Sequence, residues 1–65
     1  KDDRLADALT VLPQGLRDIF LMYWFLELAD WEIGEKLRLP RRIVNHRRQR
    51  AYELLKKLMG GDANE

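Results

Sequence analysis

Arg42, Asn45, His46 and Gln49 are the residues of this chain whose types and spacing could do chemistry. That chemistry is recognition. An arginine can present two donors to the guanine edge, and asparagine or glutamine can present a donor and an acceptor to adenine, both in the major groove of DNA. The four residues lie within Pro40-Arg41-Arg42-Ile43-Val44-Asn45-His46-Arg47-Arg48-Gln49-Arg50-Ala51, a stretch that reads as a helix. Pro40 suits a first helical position, where its missing N–H is not needed and its φ is already helical. Val44, Ala51, Leu55 and Leu58 recur at helical spacing. With Val44 at zero and about 100° per residue, the other three fall within about 40° of it. Arg42, Asn45, His46 and Gln49 fall between about 100° and 200°, on the opposite side. A buried seam and a polar reading face therefore separate.

A solvated, highly charged helix is the plain alternative to a reading face. The placement of charge argues against it. The net charge of the whole chain is only +1, but residues 1–35 carry three basic and eight acidic side chains. Residues 36–57 carry nine basic side chains and one acidic, Glu53. Basic charge concentrated on one element is the footprint of a polyanion binder. A membrane surface is the competing polyanion. Lipid-binding helices, however, set aromatic and large apolar residues opposite the basic face, and here that side holds only Val44, Ala51 and leucines.

Catalysis is not expected. There is no serine or cysteine and a single threonine, Thr10, so neither a triad nor a thiol nucleophile can be assembled. His46 is the one histidine, and a zinc site needs three or four ligands. No glycine-rich phosphate loop occurs, and no cofactor or metal is expected. Trp31 could stack on a single-stranded base, but Trp24 and Trp31 read more simply as core or core-edge residues. The apolar run Ile19 to Leu26 is eight residues, against the roughly 20 needed to span a bilayer.

The elements that must position the reading face are few. The length predicts one domain, over residues 1–61, with 62–65 as a disordered tail. The initial lysine suggests a piece of a longer protein, and the missing cysteines fit a reducing compartment. A small bundle of three to four helices is expected. A first short helix covers about 3–10, with Asp2 and Asp3 near its positive end. Pro13 starts a second helix carrying Leu16, Ile19, Phe20, Tyr23 and Trp24. This second helix is apolar on nearly every side, more than so small a domain can bury. Leu21, Met22, Phe25 and Leu26 are therefore candidates for a protein-partner surface or a homodimer contact. Glu27 to Ala29 connect to a third helix, for which Asp30 is the better capping residue and in which Ile33 and Leu37 face inward. Arg38-Leu39 turns into the long fourth helix, which Gly60-Gly61 stops.

Helix three, the turn and helix four satisfy the requirements of a helix-turn-helix. Ile33, Leu37, Leu39 and Val44 supply apolar positions, and Gly34 supplies a small residue where the two helices cross closely. Two positions depart from the pattern. Arg38 stands where a glycine is usual, and Arg47 stands where an apolar residue is common, its stem able to lie over the core edge.

The register of Leu12-Pro13, Arg17-Asp18-Ile19-Phe20, Glu32-Ile33-Gly34, Leu37, Leu39-Pro40, Val44, Arg47 and Arg50-Ala51 resembles region 4 of bacterial sigma factors. The resemblance covers about residues 9–59, without the glycine usual near Glu27. It implies a domain that docks its last helix into the upstream (−35) promoter element and contacts the β flap of RNA polymerase or an anti-sigma factor. A bacterial, cytoplasmic, nucleoid-associated setting follows from it. Carried over by position, Arg41, Arg42, Asn45, His46 and Gln49 would face bases or adjacent phosphates. Arg38, Arg47, Arg48 and Arg50 would contact phosphates and fix register without reading sequence. A LuxR-type regulator is the alternative resemblance, echoed by Val44-Asn45-His46-Arg47 and Lys57-Leu58. A sigma-like protein-interaction module that has lost DNA reading is the third reading.

Overall fold

In the computed structural model, residues 3–60 are described. Four helices follow one another: α1 Asp3–Val11, α2 Gln14–Trp24, α3 Asp30–Leu37 and α4 Arg41–Leu58. The chain is an all-α bundle with no strand among the described residues. Asp2, Gly61 and the expected tail at 62–65 lie outside those residues.

Both prolines mark helix starts, but each stands just before the first helical residue instead of at it. Pro13 and Pro40 are N-cap residues, with φ of −55° and −60° but extended ψ of 145° and 146°. Their carbonyls accept the first helical bonds, from Arg17 and Val44. Proline suits this place because the N–H it lacks would have no intrahelical partner. At α3 the cap is Ala29, not Asp30. Glu32 compensates by reaching back to accept the Ala29 N–H at 2.8 Å, one half of a capping box. At the end of α1, Arg17 Nη1 donates to the carbonyls of Leu9, Thr10 and Leu12, each at 3.4 Å. A cation there meets the carbonyls around the helix end, of which Leu9's also accepts the Leu12 N–H, and the negative end of its dipole.

The core has two parts, and α2 and α4 run through both. Ala8, Leu12, Phe20, Ala51 and Leu55 join α1, α2 and α4. Ile19, Ile33 and Val44 join α2, α3 and α4, backed by Met22, Leu28, Leu37 and Leu39. Ile19, Ile33 and Val44 are fully buried, worth roughly 1.5–3 kcal/mol each by transfer. The seam of α4 ends sooner than its periodicity suggests. Leu58 is 47% exposed, and it is Met59, one residue on, that packs against the Ala8–Leu12–Leu55 cluster. Trp24 and Trp31 are also half exposed, at 49% and 53%, and Tyr23 is exposed too. A bundle of this size has fewer inward positions than large side chains to fill them.

Among the described residues, two carry left-handed backbone without being glycine: Glu27 at φ 57° and Arg38 at φ 60°. At Arg38 the turn is built by Gly34, whose carbonyl accepts the N–H of both Arg38 and Leu39. Glu27 closes α2, flanked by the Leu26 N–H to Leu21 and the Leu28 N–H to Met22 bonds. It is exposed, and no ion pair holds it among the described residues. Left-handed φ costs a side chain about 1–2 kcal/mol. The extra freedom of an unfolded glycine offsets about 0.4–1 kcal/mol of that. Glu27→Gly should therefore raise stability by about 0.5 kcal/mol, seen as a higher urea midpoint at unchanged slope. A lower midpoint would show that the Glu27 side chain stabilises the turn.

Candidate nucleic-acid interface

The outer side of α4 is open from its first turn. Arg41, Arg42, His46, Arg47, Gln49 and Arg50 are all exposed, and so is Arg38 in the preceding turn. Lys56 and Lys57 continue the basic surface toward the helix end. Arg50 approaches Glu53 at 3.8 Å, but both side chains are more than half exposed, so the pair is weak and leaves the guanidinium free for another anion. Arg47 is exposed instead of lying over the core. At the start of α4, Arg41, Arg42 and Asn45 share an open cleft of about 530 Å³ with Ala29, Asp30 and Trp31.

Two of the expected contact residues are turned inward. Arg48 donates from Nε to Asp30 Oδ1 at 2.8 Å and from Nη2 to Asp30 Oδ2 at 2.9 Å, a bidentate pair. Its guanidinium lies over the Tyr23 ring, 4.2 Å from the centroid. The side chains of Arg48 and Asp30 are only 20% and 16% exposed. Asn45 Nδ2 donates to Asp30 Oδ2 at 3.1 Å, and Gln49 Nε2 donates to Asn45 Oδ1 at 3.2 Å. The Arg48 hydrogen bonds hold the Asp30 carboxyl below its usual range against the opposing effect of burial, with Asn45 adding in the same direction. Asp30 in turn raises the Arg48 pKa.

Asp30 is the residue that sequence reading missed. It was expected to cap α3, and it instead ties α3 to α4. A signal did exist: at about 100° per residue, Arg48 lies only about 40° from Val44, on the edge of the buried seam. A cation at that angle needs a partner. The expected phosphate role of Arg48 thus gives way to a structural pair, because the carboxylate and ring already occupy its guanidinium.

The expected protein-partner residues divide. Phe25 and Leu26 are 67% and 65% exposed. Leu21 and Met22 are half-buried, and Met22 packs on the Ile19–Ile33–Val44 cluster, because the last turn of α2 points that side at α3. Trp24 joins Phe25 instead, their ring centroids 5.3 Å apart.

No group of three or more metal-ligating side chains gathers among the described residues. No described helix is long and apolar enough to cross a membrane. No family model, curated protein or solved structure matches the chain.

Proposed function

We propose that this chain is a sequence-specific, double-stranded DNA-binding module of the sigma region 4 type, acting in transcription initiation on the bacterial nucleoid. The observation that carries the reading is the exposed basic and amide-bearing side of α4, opposite the Val44–Ala51–Leu55 seam. In this reading α3, the turn and α4 form a helix-turn-helix. An 18-residue helix is about 27 Å long, and a major groove about 12 Å wide admits it. Arg41, Arg42, His46 and Gln49 are free to meet base edges or nearby phosphates. Arg38, Arg47 and Arg50 are free to grip phosphates. The exposed Trp24, Phe25 and Leu26 favour an additional protein contact, with polymerase or an anti-sigma factor as the partners suggested by the resemblance.

Substitution separates the two kinds of contact. Arg42→Ala should erode preference for the best site over random duplex, by about 1–3 kcal/mol for a good base contact. Arg50→Ala should weaken all duplexes alike and lower the salt slope by about one. Equal behaviour of the two variants in competition binding would remove the distinction between reading and gripping residues. Full activity of both would point instead to the aromatic surface.

A further inference from the structure

Asp30, Asn45 and Gln49 form a chain of side-chain hydrogen bonds whose direction is fixed at one end. Asp30 pairs with the Arg48 guanidinium, is kept ionised by it, and so can only accept. The Asn45 atom facing it must therefore be Nδ2, which leaves Oδ1 on the other side of the amide. Whatever meets Oδ1 must donate, so Gln49 turns Nε2 to it, at 3.2 Å. An asparagine or glutamine amide alone could face either way. Here the carboxylate settles both.

The consequence falls on Gln49, which is exposed where Asn45 is half-buried. Gln49 keeps Oε1 as an acceptor and one Nε2–H as a donor. An adenine presents the complement in the major groove, an N6 donor beside the N7 acceptor. Guanine offers two acceptors there and cannot satisfy Oε1. We infer that Gln49 is the adenine-reading residue of this domain, and that Asn45 positions it, with the Asp30–Arg48 pair setting the polarity of the chain. The inference rests on the DNA-binding reading above and sharpens it: the site contains an adenine set by Gln49, and Asn45 reads no base for itself.

The test is selection of bound duplexes from a randomised pool by the full chain, Gln49→Ala and Asn45→Ala, each confirmed folded by circular dichroism. The parent chain should prefer adenine at one position by tenfold or more. Gln49→Ala should abolish that preference. Asn45→Ala should reduce it severalfold at the same position, leaving the other positions and the salt slope unchanged. Side-chain amide NMR gives a readout free of DNA: the Gln49 Nε2 proton shifts should move toward those of a free glutamine amide in Asn45→Ala. A preference altered by Asn45→Ala at a different position would make Asn45 a reader and overturn the relay. So would an adenine preference, lost in Gln49→Ala, that Asn45→Ala leaves intact. Absence of any duplex binding by the parent chain would instead bring down the DNA-binding reading beneath it.

Discussion

Gly34→Ala should destabilise the domain by about 1–2 kcal/mol, although alanine is the better helix former. A β-carbon built at Gly34 would stand 2.6 Å from the Leu39 carbonyl oxygen, inside any real contact distance. The obstructing atom is backbone and cannot rotate away. It also belongs to the turn that the Gly34 carbonyl itself holds through Arg38 and Leu39. The added methyl therefore pushes on the link that sets α4 against α3. Overpacking costs about 1–3 kcal/mol, and the propensity gain of about 1 kcal/mol offsets only part. Total stability for a domain of this size is only about 3–10 kcal/mol. A urea melt of Gly34→Ala should show the loss directly, and a midpoint equal to or above the parent's would mean that the turn can move aside.

Asp30→Ala should cost a similar amount, about 2 kcal/mol, by a different route. It leaves Arg48 without its bidentate partner, and Asn45 without an acceptor, at a place that water reaches poorly. Hydrogen bonds to charged groups contribute about 1.5–3 kcal/mol, and residual exposure keeps the cost below that of breaking a fully buried pair. The effect should depend on pH. The folded-state pKa of Asp30 is depressed below its ordinary value of 3.8. Its contribution is therefore complete above the unfolded pKa and is lost as pH falls through the folded one. The stability gap between parent and variant should be full at neutral pH and should shrink once the pH drops below about 4. A gap that is unchanged in acid would mean that the carboxylate's charge is not what holds α4 to α3.

The helices were legible because their signals are local. Pro13 and Pro40 mark starts, Ile19, Ile33, Val44, Ala51 and Leu55 fall on buried faces, and Gly34 stands where the chain closes on itself. The illegible features are tertiary. Asp30 and Arg48 are 18 residues apart, and nothing near Asp30 distinguishes a cap from a cross-helix anchor. The exposure of Trp24 and Trp31 depends on how much surface the neighbouring helices can cover, which their own residue type does not encode. At Glu27 and Arg38 the left-handed turns are made by residue types that advertise no such conformation, and only the register of the surrounding pattern, where glycine is usual, marked those places. Within the candidate interface, exposure of Arg42, His46 and Gln49 follows from their angle to Val44, whereas the inward turn of Asn45 and Arg48 follows from one carboxylate on another helix.

Amide NMR during titration with duplex DNA at two salt concentrations tests most directly whether the outer side of α4 enters a DNA groove. Shifts should concentrate between Arg38 and Arg50, and affinity should fall steeply as salt rises, because phosphate contacts release counterions. No shifts at low salt, or shifts confined to the Trp24–Leu26 surface, would contradict that placement of α4.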